Sequence, residues 1–222
     1  MASILEVDSI IKSYGNWQVL TDIYLKCCTG DIIGMLGRNG SGKSTLLGII
    51  FGTVPAERRF TRIDGKPFGK ALHVKDAIRF LPQFHFLPGR LTVEQAAAIC
   101  LGSRDQAIFC DDPILEDLRK YRISSLSGGE RRYLEVRLVL GGPSKFVLLD
   151  EPFNGSSPLL IDRLRELILA ASATKGIIMT DHDYRNVLSV ANRWCLLHDG
   201  GIRKIKNREQ LVQWGYLPTP AR

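Results

Sequence analysis

The segment Gly37-Arg38-Asn39-Gly40-Ser41-Gly42-Lys43-Ser44-Thr45 has the spacing G-x-x-x-x-G-K-[ST]. It follows the apolar run Ile32 to Leu36 and precedes the helical pattern Leu46 to Phe51. That is the strand-to-helix setting in which a Walker A loop works. Its glycines let the backbone turn successive N–H groups inward around phosphates, and the helix N-terminus adds partial positive charge. Lys43 is then placed to neutralise β- and γ-phosphate oxygens, and the Ser44 hydroxyl to ligate Mg²⁺. A plain glycine-rich turn would need neither the lysine nor the flanking elements.

A second constellation is Phe146-Val147-Leu148-Leu149-Asp150-Glu151, an apolar strand ending in adjacent carboxylates, the Walker B pattern. Asp150 is positioned to hold magnesium through water, and Glu151 to accept a proton from an attacking water. Adjacent acids at a strand end are often only solvated surface; the upstream phosphate loop gives this pair its meaning. A third is Leu126-Ser127-Gly128-Gly129-Glu130 ahead of a helix-like stretch from Arg131 to Leu140. A Ser-Gly-Gly turn opening a helix makes a second anion site.

With these motifs in this order, the sequence resembles the ABC ATPase family from Ile4 to about Leu211. The resemblance implies an α/β P-loop fold of ABC type: a mostly parallel core sheet, an antiparallel β portion and a small inserted helical lobe, spanning residues 1–222 as a single cassette with the lobe at about 89–140. It implies that Ser127, Gly128 and Gly129 serve the opposite subunit of an ATP sandwich. Tyr14 matches the aromatic that stacks on adenine. Gln83, in Leu81-Pro82-Gln83, matches the glutamine that approaches metal and water, and His182, in Thr180-Asp181-His182-Asp183, the switch histidine that meets the γ-phosphate. ATP and Mg²⁺ are the implied cofactors; a second copy of the chain (or a related cassette) and transmembrane permease subunits are the implied partners, and no nucleic acid is expected. Within the family the motifs look most like the ATPase subunits of lipopolysaccharide export and branched-chain amino-acid import. One position departs from the pattern: Ser157 stands where the D-loop commonly has aspartate, which puts communication between the two nucleotide sites in question. Ser157 before Pro158 can still cap the next helix.

The elements that must carry these residues are visible as alternating patterns. Short β-branched and aromatic runs, Ile4 to Val7, Gln18 to Leu20 and Ile23 to Leu25, with a hairpin signal at Asp64-Gly65, predict an antiparallel portion around the start of a parallel core. Between Leu91 and about Tyr121 the pattern turns helical, with a capping-box spacing from Thr92 to Gln95 and Asp112-Pro113 opening a further helix. The runs Phe146 to Leu149 and Gly176 to Met179 alternate with helices, as in a parallel sheet covered on both faces. Residues from Trp214 to Arg222, with two prolines, are expected to form a loosely ordered extension. The Phe84 to Leu87 segment and the lobe are expected to form an exposed apolar groove for a coupling helix.

At 222 residues, 45% hydrophobic and 24% charged, the chain has the composition of a globular protein with one substantial core. No secretory signal is expected, and no apolar run is long enough to cross a bilayer. A cytoplasmic location is expected, peripheral on the inner face of the membrane through a permease partner. The cysteines Cys27, Cys28, Cys100, Cys110 and Cys195 show neither CxxC pairs nor zinc spacing and read as reduced thiols. The net charge of +7 is scattered rather than gathered with aromatics, as on a solvated face. ATP hydrolysis driving transport is therefore the leading reading. A non-transport ABC ATPase acting on nucleic acid or the ribosome is the alternative, though such relatives usually carry paired cassettes or long coiled-coil insertions. A regulator that binds nucleotide without turnover is a third, kept open by Ser157.

Overall fold

The computed structural model describes residues 2–69, 74, 76–102, 109 and 112–218. In chain order the strands are β1 (Ile4–Tyr14), β2 (Trp17–Cys28), β3 (Ile32–Leu36), β4 (Arg58–Ile63), β5 (Lys66–Pro67), β6 (Ile78–Leu81), β7 (Phe146–Asp150), β8 (Gly176–Thr180), β9 (Arg193–His198) and β10 (Gly201–Ile205). The α-helices are α1 (Lys43–Phe51), α2 (Val93–Leu101), α3 (Pro113–Leu118), α4 (Gly128–Gly141), α5 (Pro158–Ser172), α6 (Tyr184–Val190) and α7 (Arg208–Gln213).

The larger sheet has the order β10-β9-β3-β8-β7-β6, parallel throughout except for the β9–β10 hairpin at its edge. Every residue of β3, β7 and β8 is buried, as an unbroken apolar run covered on both faces requires. Because β3, β6, β7 and β8 run the same way, the loops after them emerge at one edge. That edge receives Gly37, Gln83, Glu151 and His182, in agreement with the general rule for ligand sites in open parallel sheets.

The smaller sheet is antiparallel, in the order β2-β1-β4-β5. Asp64 and Gly65 link β4 to β5 with φ of 51° and 75°, the left-handed pair that a two-residue hairpin favours. The runs Gln18 to Leu20 and Ile23 to Leu25, expected as separate strands, are one continuous strand. The polar interruption is absorbed as a bulge, with Asp22 at φ 49° and a register shift between Ile10↔Ile23 and Lys12↔Leu20. Ile4 to Val7 likewise extends to Tyr14, with Ser9 at φ 53°.

Between the sheets lies α1, whose Leu46, Leu47, Ile49 and Ile50 are fully buried against Leu5, Ile23, Ile33 and Met35. Its apolar residues surround the axis, as for a helix enclosed by core. Each such side chain contributes about 1.5–3 kcal/mol of burial, so the phosphate loop is seated on a rigid element. On the other face of the parallel sheet, α4, α5 and α6 pack Leu134, Val136, Leu164, Ile168 and Val187.

Within residues 89–140 the described elements are α2, α3, a 3₁₀ turn (Ile123–Ser125) and α4 up to its last residue but one. Thr92 and Gln95 form the anticipated capping box, and Asp112 caps α3 with Pro113 in its first turn. Asp112 also accepts from the Tyr133 hydroxyl at 2.7 Å and pairs with Arg137 at 3.4 Å, tying α3 to α4. Cys27, Cys28, Cys100 and Cys195 are free thiols, while Cys110 and residues 219–222 lie outside the described residues. No helix among the described residues is long and apolar enough to cross a membrane.

The expectation for the tail is corrected as far as residue 218. After α7, Tyr216 and Leu217 donate backbone N–H groups to Leu211, and Leu217 is buried in the core. Apolar Leu211 and Leu217, rather than the prolines, decide the course of this segment.

Candidate active site

The phosphate loop closes on itself between β3 and α1. Gly42 sits at φ 100°, where a Cβ would come within 2.6 Å of Val19 Cγ1, so only glycine fits there. As N-cap of α1 it offers no side-chain acceptor, and the first-turn N–H groups are left for an anion. Lys43 Nζ donates to the carbonyls of Gly37 at 2.7 Å and Arg38 at 3.2 Å. Burial pulls its pKa below the usual lysine value, while the charges of Asp150 and Glu151 hold it up. Lys43 therefore feels both carboxylates.

A cleft of about 410 Å³ is lined by Tyr14, Trp17, Val19, the loop residues Asn39 to Thr45, Gln83, Glu151 and His182. Glu151 is its centre. Only 5% exposed, its carboxylate accepts from Gln83 Nε2 at 3.3 Å and from Asn154 Nδ2 at 3.4 Å, and lies 2.8 Å from His182 Nε2. Glu151 has φ 55°, a left-handed backbone that costs a non-glycine residue about 1–3 kcal/mol and is found where a site requires it. Asp150, buried at the end of β7, accepts from Thr180 Oγ1 at 2.7 Å, directly across the β7–β8 register. Ser44 is exposed to the cleft. The next residue after β8, Asp181, accepts from the Phe153 and Asp183 N–H groups; burial raises its pKa against those bonds, and the Glu151 charge raises it further.

Tyr14 is 52% exposed at the cleft, with Lys12 Nζ 4.7 Å from its ring centroid. Trp17, 66% exposed, lines the same cleft and was not singled out from the sequence; its spacing of three from Tyr14 across the β1–β2 turn is the signal available. Arg38 turns away and donates to the Gly215 carbonyl at 3.0 Å. Tyr216 meets Tyr184 edge-on and lines a neighbouring cleft with Arg38 to Ser41. Residues 214–218 thus buttress the back of the phosphate loop.

Ser127, Gly128 and Gly129 do not reach this cleft. Ser127 caps α4 in a reciprocal capping box with Glu130, and Gly129 packs so closely on Gly155 that a Cβ would lie 2.9 Å from its carbonyl oxygen. Ser157 caps α5, accepting from Leu160 N–H at 3.4 Å, with Pro158 in the first turn. Phe84 is 80% exposed and Phe86 partly so, whereas Leu87 is buried and His85 is engaged by Glu135, so the expected apolar patch narrows to the two phenylalanines. Phe86 lines a groove with Phe51, Phe80, Cys100, Leu138 and Val139, between the lobe and the core.

Comparison with known proteins bears on the family and the fold. The sequence profile of the family described as "ABC transporter" matches residues 20–154. The lipopolysaccharide export system ATP-binding protein LptB of Haemophilus influenzae is 31% identical over 95% of this chain and 93% of its own length. The protein of the same name from Escherichia coli K12 is 32% identical over 88% and 87%. Among solved structures, an ATP-binding subunit of an ABC transporter superposes with a TM-score of 0.80 at 24% identity, over 97% of this chain and 95% of that one. A dimeric bacterial ABC transporter cassette gives 0.77 at 20% identity, over 91% and 99%.

Proposed function

This chain belongs to the ABC transporter family as an ATP-binding, transport-powering ATPase subunit, and from that membership we propose a site-level mechanism: Mg²⁺-dependent ATP hydrolysis with Glu151 as general base. The observation that carries it is the convergence of Gln83 and His182 on the Glu151 carboxylate, in one cleft with Lys43 and an uncapped helix N-terminus.

In this reading the loop N–H groups and Lys43 hold the β- and γ-phosphates, and Tyr14 receives the adenine face. Glu151 takes a proton from the water whose oxygen bonds to the γ-phosphorus, as the bond to the β–γ bridging oxygen breaks to leave ADP. Gln83 and His182, bonded to that carboxylate, orient it and the water. The oxygen donors Ser44, Asp150 and Gln83 suit magnesium, which would be held there and would offset phosphate charge.

The sandwich belongs to the same proposal. Ser127, Gly128 and Gly129 lie outside their own cleft, so a second copy supplies them to close over the γ-phosphate. Residues 89–140 act as the lobe of a single cassette, and a transmembrane permease seats on the groove at Phe84 and Phe86, holding the chain to the inner membrane face. Export of lipopolysaccharide is the role named for the relatives; cargo here is set by the permease.

Steady-state phosphate release from the purified chain tests the reading. Turnover with Mg-ATP that stops when EDTA removes magnesium supports it; no turnover leaves a nucleotide-binding regulator.

A further inference from the structure

Helix α4 carries two charged residues, Arg132 and Glu135, that are almost completely buried and that take no part in the cleft. The Arg132 guanidinium donates to the Pro82 carbonyl at 2.8 Å, to the Glu151 carbonyl at 2.8 Å and 3.1 Å, and to the Asp150 carbonyl. It therefore grips the backbone of both strand-end acids and of the residue before Gln83. Burial lowers its pKa below the usual arginine value, and the Glu135 charge opposes that shift most strongly.

Glu135 works one turn further along. Its carboxylate accepts from the Phe86 N–H at 3.0 Å and the Leu87 N–H at 3.5 Å, and lies 2.9 Å from His85 Nδ1. It pairs with Arg132 at 3.6 Å and Arg131 at 3.7 Å, and Arg131 donates to the Leu87 carbonyl. Arg132 and Glu135 are at i and i+3 of one helix, where side chains meet. Their far ends hold different segments of chain.

A buried ion pair is a poor source of stability, because desolvation costs about as much as the attraction returns, and apolar residues of the same volume often do as well. What an apolar pair does not do is fix the carbonyls and amides of two separate segments of chain. The polar contacts of these two side chains go to the catalytic strand end, the segment 82–87, Arg131 and one another.

We propose that the Arg132–Glu135 pair is a positioning link that couples the backbone at Phe86 and Leu87 to the Glu151 carboxylate, so that occupancy at one end is felt at the other. The inference rests on the assignment of Glu151 as base and of the Phe86 groove as a docking place. Neither residue touches substrate. Since linkage is reciprocal, nucleotide in the cleft alters the amides at Phe86 and Leu87 just as a partner there alters Glu151.

The test uses Glu135→Gln, which preserves shape but removes the charge, and Arg132→Lys, which preserves charge but loses the planar fork. Steady-state ATPase is resolved into kcat and KM, and amide hydrogen exchange at Phe86 and Leu87 is followed with and without a non-hydrolysable ATP analogue and Mg²⁺. Misplacement of the base should lower kcat by about 10- to 100-fold, with KM for ATP within about twofold because the phosphate loop is untouched. The exchange response seen in the wild type should disappear in both variants. A wild type with no exchange response at these amides, or folded variants with wild-type kcat and response, overturns the link. Lower thermal stability with both readouts intact marks a merely structural pair and also overturns it. If the wild type itself fails to hydrolyse ATP, the assignment of Glu151 falls, while the exchange response still judges the link.

Discussion

His182 Nε2 lies 2.8 Å from Glu151 Oε1, so the second residue after β8 reaches across to the first one after β7. The contact, together with that of Gln83, holds the carboxylate at the cleft. Removing the imidazole leaves the phosphate loop intact. His182→Ala should therefore lower kcat by about 10²-fold or more, the lower range for a positioned proton-transfer group, with ATP affinity little changed. Single-turnover hydrolysis alongside nucleotide titration separates the two.

Lys43 is the cation nearest the phosphate cradle, held between loop carbonyls and the field of Asp150 and Glu151. Lys43→Ala should weaken ATP binding by about 1.5–3 kcal/mol, the range for a hydrogen bond to a charged group. Equilibrium titration with a fluorescent nucleotide measures it, and unchanged affinity removes Lys43 from the site.

Tyr14 presents its ring to the cleft with Lys12 over it. Tyr14→Ala should cost about 1–3 kcal/mol of nucleotide affinity if a purine stacks there. The loss should be equal for ATP and GTP, since stacking reads a π-face and not an edge.

Much of the site was legible in the sequence because its parts are local. The loop from Gly37 to Thr45 and the acids at Asp150 and Glu151 occur as contiguous segments beside their strands, and the parallel alternation of runs and helices brings their ends to one edge. What the sequence did not disclose depends on pairing over long separations. Thr180 matters only because β8 lies in register beside β7, and Arg132 only because α4 crosses beneath the strand ends. The tail illustrates the limit from the other side: prolines suggested looseness, yet Leu217 reaches the core and the Gly215 carbonyl accepts from Arg38 of the phosphate loop. At Asp22 the polar break between two expected strands is a bulge, because the apolar positions on both sides continue into the same core.

Phe86 and Val74 are exposed apolar side chains lining the groove between lobe and core, and Phe84, two residues from Phe86, is more exposed than either. Phe84→Asp, at the most exposed of the three, should abolish co-purification with a membrane partner and leave basal phosphate release within about twofold, since exposed substitutions seldom alter the fold. Retained co-purification excludes this face; lost basal activity shows that Phe84 supports the core.

The account's central claim is that Glu151 activates water in a site closed by a second copy of the chain. Glu151→Gln keeps size and hydrogen-bonding capacity but cannot take the proton, so hydrolysis should fall by about 10²–10⁴-fold. Unhydrolysed ATP should then hold two chains together, shifting the variant from monomer to dimer, whereas ADP lacks the γ-phosphate that both copies grip. Size exclusion with light scattering, on wild type and variant with Mg-ATP and with Mg-ADP, is the direct measurement. The predicted result is an inactive variant that dimerises with ATP alone. A variant that hydrolyses at the wild-type rate contradicts the base assignment, and an inactive variant that stays monomeric with ATP contradicts the sandwich, with the neutral Ser157 the first position to restore to aspartate.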